Sequence, residues 1–356
     1  MFIIAEAGVN HNGDFNLALE MIDAAAASGA DAVKFQTFKS ELLVSSNSPL
    51  LGYQKTNIAE RVTQREMLKR LEISRSQHFD LKKRADAQGL VFLSTPFDES
   101  SLLFLIEEIG MKLVKIPSGE ITNFPMLLEV GGRADEILLS TGASNLLEIK
   151  EAIDFLVLGF SNSAKIKNYR NESPADATRS QLLESLTLLQ TVSAYPADAI
   201  DYNLRTIVHM QETFQCKVGL SDHTLGSHVA AAAAALGAVV FEKHFTLDQQ
   251  LPGPDHRASL SPEQLNSYVR VVRETASSLG DGIKRVQPAE KENQKAIRKS
   301  IYAIADIRVG QLFTPSNVGL RRPATGLPPR HWWNLLTTRS KRNYRADEPI
   351  DLDEVL

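Results

Sequence analysis

The sequence predicts a (β/α)8 barrel followed by a small, mostly β domain, and three observations carry that expectation. Eight short segments rich in β-branched and apolar residues recur within the first 244 residues. Helical patterns fill the gaps between them, the alternation of a parallel sheet. Nearly every segment finishes in polar or ionisable residues, as expected where the C-terminal strand ends of a barrel meet at one mouth. Beyond residue 298 the rhythm changes to short strand-like pieces punctuated by Gly and Pro.

In order, the strands are expected at 2–6 (FIIAE), 32–36 (AVKFQ), 91–95 (VFLST), 113–117 (LVKIP), 137–140 (ILLS), 186–192 (LTLLQTV), 217–221 (KVGLS) and 238–244 (AVVFEKH). Residues 16–29 read as an amphipathic helix with Gly29 as its C-cap. Residues 74–89 read as another, with Ser74 or Ser76 as N-cap. An open doubly wound sheet shares this alternation, but no G-x-G-x-x-G follows the first strand. The longest apolar run, 229–241, is too short for a bilayer and is split by Gly237. It reads as a buried helix turning into a strand. The polar stretch 161–181 reads as a surface insertion. The expected division is a barrel over 1–282, a charged linker over 283–297 and a small domain over 298–356.

Composition narrows the function classes. The chain has 356 residues, 43% hydrophobic and 23% charged, the profile of a soluble globular protein. With 39 basic against 43 acidic residues, it has no bulk electrostatic footprint for nucleic acid or an anionic membrane. Any anion site must be a local cluster. The single cysteine, Cys216, excludes an intrachain disulfide and fits a reducing, cytoplasmic compartment. The opening MFIIAEAGVNHNGD has no basic n-region, so it does not read as a signal peptide.

Side chains alternate faces along a strand. Ile4 and Glu6 therefore share a face, as do Lys34 and Gln36, Ser221 and His223, and Glu242 and His244. Burying such charges is costly unless they pair, so their recurrence at strand ends implies that they meet each other around a ligand. His223 and His244 stand on consecutive strands, 21 residues apart. Two imidazoles without a nearby Cys suit an open metal site completed by water or substrate. Each residue also has a bland reading. Lys34 and Lys115 could neutralise Glu6 and Glu120, or a barrel lysine could form a Schiff base. Ser118, Ser140, Thr141 and Ser221 with the two lysines would suit a phosphate or carboxylate. His11, Asn12 and Gly13 read as a tight turn, structural or functional.

In this order, AEAGVNHNG, AVKFQTF, FLSTPFD, KIPSGE, LSTG, GLSDHT, EKHFTLD and PGPDH resemble the sialic acid synthase (N-acetylneuraminate synthase) family. RKSI and RRPATG are similar to its C-terminal antifreeze-like (SAF, β-clip) domain. YQKTN at 53–57 resembles the acetylneuraminate and legionaminate branches. The resemblance implies a TIM barrel that condenses phosphoenolpyruvate with N-acetylmannosamine, using Mn²⁺ or Mg²⁺ held by His223 and His244. It implies Glu120 as the base that activates water, with Glu6 and Lys34 also in the catalytic group. Lys34 and Thr95 correspond to the carboxylate end of phosphoenolpyruvate, and Lys115, Ser118, Ser140 and Ser221 to its phosphate end. Ser193 is also placed in the substrate site. Glu6, Gln36, Tyr195 and Asp255 correspond to sugar-facing groups, and Arg322 to the contact with the acetamido group, made across a domain-swapped homodimer. The chain departs from many members at Gln190-Thr191, where they carry HC, and one branch has Asn in place of Ser193. The alternative product is another nonulosonate, legionaminate or pseudaminate. A Schiff-base aldolase is a further alternative among enzymes, and a sugar-binding or ice-interacting protein is the reading outside them.

Overall fold

A computed structural model describes residues 1–57, 62–161 and 176–355. The chain divides into two compact units, Met1–Gly280 and Asp281–Leu356. In the first, eight parallel strands follow the expected order: β1 (Phe2–Gly8), β2 (Ala32–Thr37), β3 (Val91–Pro96), β4 (Leu113–Ile116), β5 (Glu136–Ser140), β6 (Leu186–Gln190), β7 (Lys217–Asp222) and β8 (Val240–His244). Their ends differ from the expected ones by no more than two residues. They lie in the order β3-β2-β1-β8-β7-β6-β5-β4, and β3 packs beside β4, which rounds the sheet into a TIM barrel. β1 pairs with β2 on one side and with the last strand, β8, on the other, which brings Glu6 opposite both Lys34 and His244.

Local chemistry sets the helix ends. In Phe15–Ala27 the Asp14 carboxylate accepts from the Asn16 and Leu17 amides, and Ala18, Met21, Ile22 and Ala25 form the buried stripe. Its C-cap is Ser28, not Gly29. Gly29 is the next residue, at φ +79°, where the chain reverses in a conformation that side chains disfavour. The helix Arg75–Ala87 starts at Ser74, whose hydroxyl and the Gln77 side chain form a reciprocal capping box. The apolar run is the helix His228–Ala235 leading into β8. Of the expected insertion, residues 162–175 lie outside the described residues, and Asp176–Ser185 is helical. Among the described residues no helix is long and apolar enough to cross a membrane.

The second unit is built around one antiparallel pair, β9 (Ser300–Ala303) with β10 (Val318–Arg321). Isolated bridges such as Ile307–Tyr344 extend it, and Ile301, Phe313, Val318, Leu327 and Tyr344 belong to its separate apolar core. Part of the charged stretch at the start of this unit is helical, Lys291–Ile297.

The closest helix packing on the barrel joins Phe124–Arg133 to Leu146–Ser161. A Cβ on Gly131 would stand 2.1 Å from the Leu156 carbonyl oxygen, and one on Gly159 2.2 Å from that of Leu128. Backbone cannot yield as a flexible side chain does. Gly131→Ala should therefore destabilise the barrel by about 3 kcal/mol, the upper end of ordinary overpacking. A urea midpoint unchanged from the parent would show that the two helices can separate freely.

Candidate active site

The strand ends enclose a cavity of about 190 Å³. It is lined by Glu6, Lys34, Gln36, Thr95, Lys115, Ser118, Ser140, Ser193, Tyr195, Ser221, His223 and His244, together with Thr191 and Glu242. Thr191 and Glu242 line it without having been given a role from the sequence, although Glu242 reads there as sharing a face with His244. The signal was present, because Glu242 lies two residues before His244 on one strand and so shares its face.

Four buried charges form the floor. Lys34 Nζ lies 2.7 Å from Glu6 Oε2 and 3.5 Å from Glu242 Oε2, and donates to Thr95 Oγ1 at 2.8 Å. Lys115 Nζ stands 3.0 Å from both Glu242 oxygens. Ser221 Oγ donates to Glu242 Oε1 at 2.9 Å, and Gln36 Nε2 to Glu6 Oε1 at 3.3 Å. Register explains these contacts: Glu6 is opposite Lys34, Gln36 opposite Thr95 and Ser221 opposite Glu242. The partner of Lys115 is thus Glu242 and not Glu120. Glu242 reaches Lys115 from the inward face of β8, whereas Glu120 sits beyond the end of β4.

The two carboxylates respond oppositely to this setting. Burial, reinforced by the Glu242 charge and opposed by Lys34, pushes Glu6 up to about 7. Burial also acts against charge on Glu242, but Lys115 and Lys34 together overcome it and hold that carboxyl below the usual range. Burial lowers Lys115, with the nearby Lys34 charge adding to it and Glu242 offsetting part of it. A carboxyl that titrates near neutrality beside one that stays ionised is a pair suited to divided acid and base roles.

One wall is made of hydroxyls. The Gly142 amide donates to Ser118 Oγ at 3.0 Å. Ser140 Oγ and Thr191 Oγ1 are buried without a hydrogen-bond partner among the described residues. A Cβ on Gly142 would stand 2.5 Å from Ser193 Oγ and 2.8 Å from Ser118 Oγ, so this glycine keeps the space between them open. Two lysine ammoniums facing donor hydroxyls make a place for an anion with several oxygens.

The imidazoles line the cavity at the ends of β7 and β8. His223 Nδ1 donates to the Val192 carbonyl at 2.6 Å, which leaves Nε2 as the nitrogen with the free lone pair. His244 Nδ1 is buried without a hydrogen-bond partner among the described residues. The two rings are 5.6 Å apart, and Tyr195 stacks on His223 at 4.2 Å. Burial lowers His223 to about 4. Burial and the neighbouring His223 hold His244 well below its ordinary value. Both rings are therefore neutral at physiological pH, the form that ligates metal. No group of three or more His, Cys, Asp or Glu arranged to hold a metal occurs among the described residues. The donor set fits an open two-imidazole site and not a closed structural one.

Four expected residues lie outside the cavity lining, among them Thr141, whose hydroxyl donates to the Leu189 carbonyl at 3.0 Å. Glu120 ends the short turn Ser118–Glu120, half-buried, and accepts from Asn123 Nδ2 at 2.6 Å. Asp255 is buried in the loop after β8, and burial pushes it up to about 6. That loop is tied to its neighbours: Asn12 Nδ2 donates to the Pro252 carbonyl at 2.8 Å and Asn57 Nδ2 to that of Pro254 at 2.6 Å. His256 bridges Thr246 Oγ1 and Asn12 Oδ1. Arg322 is exposed in the second unit.

The buried imidazoles make stability depend on pH. His11, His223 and His256 are lowered from 6.5 to about 4, and His78 and His244 are also lowered, in each case chiefly by burial. Below about 6.5 the unfolded chain binds protons that the folded chain refuses, so this contribution falls with pH. Glu6 and Asp255 act the other way, because the folded chain keeps protons that the unfolded chain releases. Five imidazoles outweigh two carboxyls, so stability should drop between about pH 6.5 and about pH 4. Urea midpoints measured across that interval should decline steadily; a rise would show that the two carboxyls dominate.

Known proteins share this arrangement of strands and motifs. The NeuB family model matches residues 21–284, and the SAF domain model matches residues 298–356. The N,N'-diacetyllegionaminic acid synthase of Campylobacter jejuni is 42% identical, over 98% of this chain and 98% of that protein. The enzyme of the same name from Legionella pneumophila is 43% identical, over 97% and 92%. The crystal structure of N-acetylneuraminic acid (sialic acid) synthetase from Leptospira borgpetersenii, in complex with citrate, has a TM-score of 0.65 and 32% identity, covering 82% of this chain and 89% of that one. The strand-end motifs, the barrel that gathers them and these matches along nearly the whole chain lead to one conclusion: the protein belongs to the NeuB family and carries a C-terminal SAF domain.

Proposed function

We propose that the chain condenses phosphoenolpyruvate with a six-carbon acetamido sugar to give a nonulosonate and phosphate, and that its sugar carries two acetamido groups. The observation that carries the reaction class is one cavity lined together by Lys34 and Lys115, by buried hydroxyls and by two imidazoles that burial keeps neutral. The choice of sugar departs from the expectation of N-acetylmannosamine. The two relatives at 42% and 43% identity bear the name N,N'-diacetyllegionaminic acid synthase, whereas the sialic acid synthetase structure stands at 32%. Phosphoenolpyruvate contains no nitrogen, so both acetamido groups of such a product come from the sugar.

In this reading Lys34 and Thr95 take the carboxylate of phosphoenolpyruvate. Lys115, Ser118, Ser140, Ser193 and Ser221 take its phosphate. An anion arriving there competes with Glu6 and Glu242 for the ammoniums, and Glu6 gives way because it already titrates near neutrality. Gln36, Tyr195 and Asp255 orient the sugar. A divalent ion, Mn²⁺ or Mg²⁺, held by His223 and His244 would supply Lewis-acid polarisation of the sugar aldehyde. The enol carbon bonds to the aldehyde carbon, and the aldehyde oxygen gains a proton. Water adds to the carbon that bears the phosphate and yields its proton to a carboxylate, Glu120 or Glu6. The C–O bond to phosphate then breaks as the new hydroxyl passes its proton to the departing phosphate, leaving the keto acid.

The sugar is tested by offering a panel of acetamido sugars with phosphoenolpyruvate and Mn²⁺ and weighing the products. The diacetamido sugar should turn over best; preference for N-acetylmannosamine would restore the sialic acid reading. EDTA should abolish turnover, and full activity in its presence would exclude the ion. Glu120→Gln should lower kcat by roughly 10²–10⁴-fold with little change in KM for phosphoenolpyruvate. If Glu6→Gln gives that signature and Glu120→Gln does not, the base is Glu6. Arg322 is proposed to reach the sugar in the barrel of a second copy. A refolded mixture of Arg322→Ala and His244→Ala chains should recover activity, and heterodimers without recovery would rule out action in trans.

A further inference from the structure

The outward faces of β7 and β8 carry a second buried ion pair that the reaction does not use. Asp222 and Lys243 are directly opposite in register, the last described pair of that ladder. They are 0% and 1% exposed, with Lys243 Nζ 3.0 Å from Asp222 Oδ2. Ser221 and Glu242 precede them and His223 and His244 follow them, both pairs on the inward face.

The bonds made by this pair converge on the chain around His223. Lys243 Nζ also donates to the Thr224 carbonyl. Asp222 Oδ1 accepts from the Thr224 amide at 2.9 Å and from its hydroxyl at 2.7 Å. Lys243 thus grips the residue before His223 and the residue after it. A third anchor comes from β6's following loop: the Tyr202 hydroxyl accepts from the His223 amide at 2.6 Å and donates to the Ser221 carbonyl at 3.1 Å. Tyr202 is fully buried. His223 lies one residue beyond the end of β7, where the ladder no longer holds the backbone, and these groups replace it.

Stability alone does not call for such a pair. A buried ion pair loses its solvation, and well-packed apolar residues often serve the fold as well or better. What an ion pair adds is a directional constraint on two adjacent strands. We propose that Lys243, through Asp222 and Thr224, and Tyr202 are positioning residues that fix His223 relative to His244 for divalent-ion binding. The inference rests on the proposed role of those two imidazoles.

The test is Mn²⁺ affinity of the full chain, read from loss of the free-ion EPR signal, beside phosphoenolpyruvate affinity by calorimetry and thermal midpoints. Asp222→Asn/Lys243→Met removes both charges without leaving one buried alone, and Tyr202→Phe removes only the hydroxyl. Each should weaken Mn²⁺ binding by roughly 10- to 100-fold, as outer contacts to metal-ligating His do. Phosphoenolpyruvate affinity should change less than twofold, because Lys34 and Lys115 lie on other contacts and the β7–β8 ladder still holds Ser221. If His223→Ala loses Mn²⁺ while both of these variants bind it like the parent, the clamp is overturned and the metal reading stands. Equal losses of Mn²⁺ and phosphoenolpyruvate affinity overturn it as well, marking a general structural role. A parent chain that does not bind Mn²⁺ overturns the metal reading and the clamp with it.

Discussion

The barrel mouth depends on mutual neutralisation of charges that water cannot reach. Glu6, Lys34, Lys115 and Glu242 are each no more than 4% exposed, and any one of them alone would carry a large desolvation penalty. They persist because β1 lies between β2 and β8, so that acid and base arrive from different strands within hydrogen-bond distance. The same arrangement leaves Glu6 titratable and Glu242 ionised, since Glu242 is shared by two ammoniums and Glu6 leans mainly on one.

Pairing also fixes positions. Lysine side chains held by carboxylates cannot swing away, and the cavity between them and the hydroxyl wall stays preorganised. Two glycines keep that volume clear. A Cβ on Gly142 would enter the space between Ser118 and Ser193. Gly8 holds φ +55° at an irregularity in the β1 register, where a Cβ would press on His244, Gln36 and Glu6. Small residues after strand ends are therefore part of the site, even though they bear no functional group.

The alternation of strand faces gives β7 and β8 two charge systems back to back. Inward-facing Ser221 and Glu242 belong to the cavity, and outward-facing Asp222 and Lys243 are sealed beneath the Tyr268 ring, 5.4 Å from Lys243 Nζ. One strand pair thus presents its chemistry and braces it from behind. The loops add a further layer, since Asn12 and His256 join the turn after β1 to the loop after β8, just as the strands themselves adjoin.

Alternating apolar segments determined the eight strands, because buried parallel strands and the helices between them impose periods that a single chain displays. The polar residues at strand ends determined most of the site for the same reason: face alternation is local, so Lys34 with Gln36 and His223 with Ser221 could be read directly. Pairings between strands were not local. That Lys115 meets Glu242, and not the nearer-numbered Glu120, follows from barrel closure between residues 127 positions apart. Gly29 reads as a cap by type, yet Ser28 occupies that position, because helix ends are set by hydrogen bonds that composition does not specify. Burial, too, was decided by the tertiary structure: Glu6 and Asp255 carry the same group as any surface carboxylate, and only the packing around them moves their protons towards neutrality.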